Sequence, residues 1–214
     1  KLNMKTYPDL IKGVRGTSNK NHIIEDVAKG ILRAKHDIYV NKDGTTRYDM
    51  SQLALTHFIP IEIGTSVEKL KEIGYKKDIY GNELVNDTQL LELKPQDLIL
   101  PACDQSPEEP ADAVLFRVSK FIDDLLENFY GINSYYNLKS EKDLVGHLVL
   151  GLAPHTSAPI VGRIVGFSKT QAFYANPMFH AATRRDCDGD EACVILLMDA
   201  LLNFSRQFLP AHRG

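Results

Sequence analysis

The segment that most constrains the fold is residues 143–167, "DLVGHLVLGLAPHTSAPIVGRIVGF". It combines glycines with β-branched residues and is interrupted by Pro154 and Pro159. Branched side chains favour strands, whereas a helix would lose backbone hydrogen bonds at the prolines. Glycine lets two backbones approach closely because it has no Cβ atom. The segment therefore predicts short, tightly packed strands.

Capping and periodicity signals predict the remaining elements. Three helices are predicted, at residues 66–74, 111–130 and 191–206. In the second of these, apolar side chains recur every three or four positions and Gly131 follows as a stop signal. Strands are expected within residues 31–63 and on both sides of the turn "KPQD" (94–97), and residues 1–30 are expected to form a loop.

Composition excludes several classes of protein. The 214 residues carry 25 basic and 28 acidic side chains, a net charge of −3, which argues against a basic nucleic-acid coat. The three cysteines form no CxxC pair, so neither a disulfide framework nor a zinc site is expected in this segment. No apolar run approaches the roughly 20 residues that cross a bilayer, and the N-terminus has no signal-peptide pattern. We therefore expect a cytoplasmic protein without membrane attachment and, since Lys1 is not Met, a piece of a longer polypeptide.

Three aspartates stand close together in the stretch "RRDCDGDEAC" (184–193). They are Asp186, Asp188 and Asp190. Alternate side chains of an extended strand point the same way, and Gly189 permits a bend that draws the last two carboxylates inward. Carboxylates so close resist ionisation unless a cation neutralises them, and Mg²⁺ commonly joins one or two carboxylates to substrate phosphates. The pattern therefore predicts a magnesium site.

Two other interpretations of these aspartates can be compared with it. An EF-hand loop needs Gly at its sixth position and Glu at its twelfth, where counting from Asp186 gives Glu191 and Leu197. That interpretation fails. An Asp-Gly turn that places acids at the start of the helix predicted from Glu191 stays open, although one aspartate would suffice for it.

Residues 144–185 contain no Asp or Glu, whereas the chain's 28 acids in 214 residues predict about five or six in a stretch of this length. Its cations and the histidines of its bent segments are Arg163, Lys169, Arg184, Arg185, His155 and His180. A positive path that leads to carboxylates suits the binding of phosphates, and ordinary surface cations are the alternative. As neighbours in the same alternating pattern, Arg184 and Arg185 are expected to point to opposite faces, so that one contacts phosphate.

Four stretches are long enough to compare with known families. They are "KGILRAKHDIYVNKDGTTRYDM" (29–50), "LTHFIPIEIGTSVEKLKEIGY" (55–75), "ELKPQDLIL" (92–100) and "GHLVLGLAPHTSAPIVGRIVGFSKTQAFYANPMFHAATRRDCDGDEACVILLMDALLNFSRQFLP" (146–210). All four resemble the large, catalytic subunit of the archaeal D-family DNA polymerase. The motifs LAPHTSA and RRDCDGDE are long and specific, and the resemblance covers most of the chain.

The resemblance implies an α+β fold with a double-psi β-barrel catalytic core of the two-barrel polymerase class and flanking helices. It implies that Asp188 and Asp190 bind Mg²⁺, with Mn²⁺ as a substitute, and that Asp186 is a third candidate catalytic and metal-binding residue. The candidate contacts to nucleic acid or nucleotide are Arg184, Arg185, His180, Lys169, Arg163, His155, Thr156 and Ser157. For the hydroxyls of Thr156 and Ser157, the alternative is that they cap a bend.

The resemblance also implies an activity and partners. The activity is template-directed DNA synthesis by two-metal nucleotidyl transfer within a replicative polymerase, on primer–template DNA and dNTPs. The expected partners are a small exonuclease subunit, which makes the enzyme a heterodimer, and a sliding clamp. The fragment alone is expected to be inactive. Another two-metal nucleic-acid enzyme, RNA polymerase-like or a nuclease, and a non-catalytic nucleic-acid-binding scaffold are the alternatives.

Four segments are expected along the chain. They are a β-rich, barrel-associated segment with a short helix (1–100), a Pro-rich surface insertion (101–112), a helix with its connection (113–143), and a catalytic barrel segment with the aspartate loop and a following helix (144–214).

Overall fold

The computed structural model describes residues 25–205 except residues 155, 157 and 187. The chain divides into two compact units. In the described part, the barrel unit comprises residues 48–115 and 139–194, and the helical unit comprises residues 25–47, 116–138 and 195–205. The predicted loop before residue 25, the predicted helix end at Arg206, and the candidate residues His155 and Ser157 lie outside the described residues.

A closed barrel of six strands is the basis of the barrel unit. In spatial order its strands are β1 (Tyr48–Ala54), β7 (Phe173–Ala175), β4 (Asp97–Pro101), β6 (Ile160–Ser168), β5 (Leu148–Leu152) and β8 (Asp188–Leu196). The β1–β7 and β4–β6 pairs are parallel, whereas β1–β8, β4–β7 and β5–β6 are antiparallel. The barrel with its helices confirms the expected fold at the level of a mixed α and β, barrel-type core.

The glycine-rich segment forms β5 and β6, as its composition predicts, and two of its glycines lie where a side chain would not fit. A Cβ atom on Gly162 would lie 2.5 Å from Cδ1 of Leu98 in β4. A Cβ atom on Gly166 would lie 2.6 Å from the carbonyl oxygen of Ile63. Both separations are shorter than van der Waals contact. Gly166 therefore permits the close backbone approach that the sequence indicates, and Gly162 leaves room for the buried side chain of Leu98.

A small sheet and a short helix belong to the same unit. Strands β2 (His57–Phe58) and β3 (Leu91–Glu92) are antiparallel, and a 3-10 turn, Pro60–Ile63, follows β2. Helix α2 (Val67–Glu72) begins where Oγ of Ser66 accepts a hydrogen bond of 3.2 Å from the backbone N–H of Lys69. The predicted helix at residues 66–74 is therefore confirmed, because the N-cap that predicted it is formed.

Four further α-helices and a second 3-10 turn, Glu141–Leu144, lie in the described part of the chain. Three of these helices do not adjoin the aspartates. They are α1 (Val27–Lys35), α3 (Ala111–Leu125, extended by a π-helical turn over Leu126–Tyr130) and α5 (Leu197–Asn203). The helix predicted at residues 111–130 is confirmed, and Gly131 ends it with a φ of 68°. A fourth helix, α4 (Pro177–Thr183), precedes the aspartates. None of the helices in the described part of the chain has the length and apolar character needed to cross a bilayer.

Two assignments made from the sequence are wrong. Residues 27–35 form a helix where loop and strand were predicted, capped by the side chain of Asp26, which accepts from the backbone N–H of Ala28 at 2.8 Å. Residues 191–196 belong to strand β8, and only Leu197–Asn203 is helical, so most of the helix predicted from Glu191 is not formed. The interpretation of the aspartates as an N-terminal helix turn loses its basis, because a strand follows them.

Buried polar groups hold the helical unit together. The guanidinium group of Arg33 is fully buried, forms an ion pair with Glu25, and donates a hydrogen bond of 3.1 Å to the carbonyl oxygen of Gly44. The carboxylate of Asp199 is also fully buried and accepts hydrogen bonds from the Thr46 backbone and the Asn203 side chain. Burial raises the pKa of Asp199 to about 6.

Candidate active site

Helix α4 directly precedes the segment that contains the three aspartates. Residues at its two ends determine where the helix begins and ends. The side chain of Asn176 accepts a hydrogen bond of 3.0 Å from the backbone N–H of Met178, and Pro177 occupies the first turn. Arg184 ends the helix in the left-handed backbone conformation, with a φ of 58°. The prediction that Arg184 and Arg185 continue an extended alternation is therefore wrong, because the chain turns at Arg184.

Strand β8 contains the bend that was predicted at Gly189. Asp188 pairs with Leu53 of β1, and Glu191 pairs with Ser51. Between these two pairs β8 advances by three residues, whereas β1 advances by two. This extra residue is a β-bulge, and Gly189 lies inside it with a φ of 115°. Few residues other than glycine adopt that conformation readily, which explains the glycine between two aspartates.

The three aspartate side chains differ in their surroundings. Asp186 and Asp188 are exposed, and neither carboxylate has a hydrogen-bond or ion-pair partner among the described residues. The carboxylate of Asp190 is half-buried, and its Oδ2 atom lies 3.0 Å from Nη2 of Arg185. Within the part of the chain that the structure describes, no three His, Cys, Asp or Glu side chains lie close enough together to hold a metal ion. The magnesium site stays a prediction, based on residue chemistry.

A buried hydrogen-bond path connects the backbone of this loop to the barrel. The amide nitrogen of Gln52 donates a hydrogen bond of 2.9 Å to the carbonyl oxygen of Asp186. The Oε1 atom of the same amide lies 3.0 Å from Nδ1 of His180, and Nε2 of His180 lies 3.0 Å from the carbonyl oxygen of Leu53. His180 is only 1% exposed, and burial lowers its pKa. Burial of this ring argues against a contact between His180 and nucleic acid, which stays a prediction.

Arg163 of β6 forms an ion pair with a carboxylate on the neighbouring strand β4. Its Nε and Nη2 atoms donate to Oδ1 and Oδ2 of Asp97 at 2.9 and 2.8 Å. Tyr75 donates a third hydrogen bond, of 2.5 Å, to the same carboxylate. Hydrogen bonding to Asp97 raises the pKa of Arg163, and burial raises the pKa of Tyr75. This two-point pairing argues against the prediction that Arg163 contacts DNA, because its charge is already neutralised.

The remaining candidates lie at the surface. Lys169 and Arg184 are exposed, and neither side chain forms an ion pair within the described residues. Thr156 is exposed as well, but its hydroxyl donates a hydrogen bond of 2.8 Å to the carbonyl oxygen of Ala153. This bond favours the alternative in which Thr156 caps the bend after β5.

Sequence reasoning missed two residues that pair with the candidate side chains, Gln52 with His180 and Asp97 with Arg163. Gln52 belongs to β1, where alternate residues are buried, and it follows Tyr48 and Met50 on the buried face. A polar residue on an apolar face is a detectable signal, because a buried amide needs hydrogen-bond partners. Asp97 precedes a run of apolar residues in β4, and nothing in its local pattern indicates that it is buried.

Comparison with known proteins gives one family for the whole chain. Residues 3–214 match the family described as DNA polymerase II large subunit DP2, catalytic domain. The chain is 58% identical over 206 residues to the DNA polymerase II large subunit of Archaeoglobus fulgidus, a match that covers 96% of the chain and 17% of the relative. It is 55% identical over 213 residues to the subunit of that name from Pyrococcus furiosus, covering 99% of the chain and 16% of the relative. The chain thus spans about a sixth of the length of these relatives.

Proposed function

Because the chain belongs to the family of DNA polymerase II large-subunit catalytic domains, we propose that it forms a catalytic barrel of a DNA-directed DNA polymerase. In this proposal it takes part in template-directed DNA synthesis within a replicative enzyme. The observation that carries the proposal is the pair of exposed carboxylates, Asp186 and Asp188, which have no partner among the described residues and lie beside a bulge of a closed barrel. Exposed carboxylate oxygens without a cationic neighbour are available to bind a divalent cation.

The donor set fits a magnesium ion. Mg²⁺ is held through one or two protein carboxylates and completes its shell with water and substrate phosphates, so a three-residue cluster is not required. We propose that Asp188 and Asp190 are the principal ligands and that Asp186 assists, directly or through a water molecule. When bound at two sites, such ions lower the pKa of the attacking hydroxyl and stabilise the leaving pyrophosphate.

Arg185 has a defined part in this proposal. Its guanidinium group forms an ion pair with Asp190, and both side chains are about one third exposed. An exposed ion pair of this kind contributes only about 0–1 kcal/mol, so Arg185 would leave Asp190 at little cost if that carboxylate held a divalent cation. Its guanidinium group would then be available to bind a phosphate oxygen of the nucleotide or the primer. Asp190 would thus exchange one counter-ion for another.

The finer fold and the partners are also proposals. We propose that the barrel is of the double-psi type, which the closed set of six strands with two parallel pairs supports. A second barrel, a small exonuclease subunit and a sliding clamp would complete the polymerase. The chain spans about a sixth of its relatives, so the proposed active site needs residues outside it, and the chain alone is expected to be inactive.

The choice of nucleotide tests the proposed function. The full-length protein, assembled with its partner subunit, is offered a primed DNA template with either dNTPs or NTPs in the presence of Mg²⁺. Incorporation of dNTPs in template order supports a DNA polymerase. Preference for NTPs would indicate an RNA polymerase-like enzyme, shortening of the primer would indicate a nuclease, and no change of the primer would indicate a scaffold.

A salt titration tests the basic residues. We expect Arg184→Ala to weaken binding to primer–template DNA and to reduce the slope of log K against log salt by about one, because a side chain that contacts phosphate releases about one counter-ion. Lys76→Ala is the matched control, since Lys76 is an exposed cation of the barrel unit outside the acid-free stretch. An unchanged slope for Arg184→Ala, or an equal change for Lys76→Ala, would remove Arg184 from the DNA path.

A further inference from the structure

The side chain of Gln52 links the aspartate loop to the interior of the barrel unit. Gln52 is fully buried, and the carbonyl oxygen of Asp186 accepts a hydrogen bond of 2.9 Å from its amide nitrogen. Among the described residues, this is the only hydrogen bond that the structure gives to the backbone of Asp186. The Oε1 atom of the same amide lies 3.0 Å from Nδ1 of His180.

The orientation of this amide follows from the chemistry of its neighbours. A carbonyl oxygen only accepts hydrogen bonds, so the nitrogen end of Gln52 must face Asp186 and the oxygen end must face His180. His180 is buried, and the single N–H of its neutral ring donates either to Oε1 of Gln52 or to the carbonyl oxygen of Leu53, which lies 3.0 Å from the second ring nitrogen. The edge of its ring packs against Phe173, with ring centres 5.7 Å apart. Gln52 is therefore a preorganised donor.

The described residues around this hydrogen bond lie at the surface of the barrel unit. Arg184, Asp186, Asp188 and Gly189 are all exposed. Asp188 is held by its pairing with Leu53 of β1, whereas the backbone of Asp186 is held by the amide of Gln52. Gln52 is thus the buried side chain that anchors the Asp186 end of the aspartate segment.

We propose that Gln52 is a positioning residue of the active site. It fixes the carbonyl group of Asp186, and with it the path of the backbone that presents the carboxylates of Asp188 and Asp190 to the metal. This inference rests on the proposed function and deepens it, because it assigns control of metal affinity to a side chain that itself contacts neither metal nor substrate. Groups that orient metal ligands from behind typically change metal affinity about 10–100-fold when removed.

The variant Gln52→Met tests the inference in the full-length protein with its partner subunit. Methionine has a similar length but cannot donate a hydrogen bond, so the loop loses its link while the barrel interior stays filled. The readout is binding of Mn²⁺, followed by the electron paramagnetic resonance of the free ion. We expect Mn²⁺ affinity to fall about tenfold. Binding to primer–template DNA, measured in EDTA, should be unchanged because Gln52 does not face DNA.

The matched control is Thr65→Val. It removes another buried hydrogen bond of the barrel unit, the 2.7 Å bond that Thr65 donates to the carbonyl oxygen of Val165. We expect this variant to bind Mn²⁺ like the wild type, since a general loss of stability does not change the loop. An equal loss of affinity in Thr65→Val would mean that Gln52 acts only through stability and would overturn the inference.

The outcomes separate this inference from the proposed function. If the wild type binds Mn²⁺ through the loop, Asp188→Asn loses that binding. In that case, a Gln52→Met variant that binds Mn²⁺ as tightly as the wild type overturns only the positioning role of Gln52. If Asp188→Asn and the wild type bind Mn²⁺ equally, the proposed metal site itself is wrong. If Gln52→Met fails to fold, Gln52→Asn is measured in the same way, because asparagine keeps the amide but is too short to reach Asp186. We expect the same loss of Mn²⁺ affinity, and wild-type affinity would again overturn the positioning role.

Discussion

Asp188→Asn is expected to reduce primer extension by the full-length, assembled protein by about 10³-fold or more. Asparagine keeps the size of the side chain but removes the negative charge that, in the proposed site, holds a divalent cation. Because a catalytic metal stabilises the transition state by several kcal/mol, its loss corresponds to a rate effect of this order. The measurement is the single-turnover rate of incorporation of one dNTP at saturating primer–template DNA. Asp190→Asn should behave in the same way.

Asp87→Asn is the control for this experiment. Asp87 is an exposed aspartate of the barrel unit, so the exchange makes the same change of charge away from the loop. It should leave the rate unchanged. The rate should fall in Asp188→Asn without loss of folding or of duplex binding, because the residue is exposed and has no partner among the described residues. Extension near the wild-type rate would remove Asp188 from the metal site.

Arg163→Ala is expected to lower the local stability of the barrel by about 3 kcal/mol. The carboxylate of Asp97 is 4% exposed, and removal of its ion-pair partner leaves a buried negative charge with only Tyr75 as a side-chain donor among the described residues. Breaking a buried pair commonly costs about 3–5 kcal/mol, and the lower end applies because Arg163 is 26% exposed. Hydrogen exchange of the amides in β4 and β6 measures the effect, and a loss of this size corresponds to a decrease in protection of about 150-fold.

The same experiment decides between two roles for Arg163. Arg184→Ala is the control, because Arg184 is an exposed arginine whose side chain forms no ion pair among the described residues, and it should leave protection of these strands unchanged. The structure predicts that Arg163→Ala changes protection but not the salt dependence of DNA binding. Unchanged protection together with a shallower salt slope would instead support the contact to DNA that the sequence pattern suggested.

Elements with strong local signals were predictable from the sequence. Helix α2 has a Ser66 N-cap and ends before Gly74, and the long apolar stripe of α3 matches a helical period over four turns. The glycines of β5 and β6 indicated close packing, and Gly162 and Gly166 show why. In each case a local rule and the tertiary structure require the same residue.

Elements were mispredicted where the tertiary structure overrides the local pattern. Residues 192–196 form a continuous apolar run that is buried in β8, and such a run fits a buried strand and a buried helix equally well. Helix α1 contains Gly30, which disfavours a helix, and its fully buried side chain is Arg33, a residue that hydrophobicity does not assign to a core. Arg33 is buried because Glu25 and Gly44 satisfy its charge, which no local sequence pattern reveals.

The candidate site was predictable in its acids and only partly in its bases. The spacing of the aspartates is local, and the bend at Gly189 lies where the sequence predicts it. The partners of Arg163 and His180, by contrast, are Asp97 and Gln52, which lie far away in sequence. A count of positive residues cannot separate a cation that faces solvent from one that is already paired.

The most direct test of the metal site is anomalous diffraction from Mn²⁺ in crystals of the assembled protein with primer–template DNA and a non-hydrolysable dNTP. We expect two anomalous peaks about 3.5–4 Å apart beside the carboxylates of Asp188 and Asp190. We also expect Arg185 to have left Asp190 for a phosphate oxygen. A map with bound DNA and nucleotide, no peak at these carboxylates and an intact Arg185–Asp190 ion pair would show that the proposed metal site is wrong.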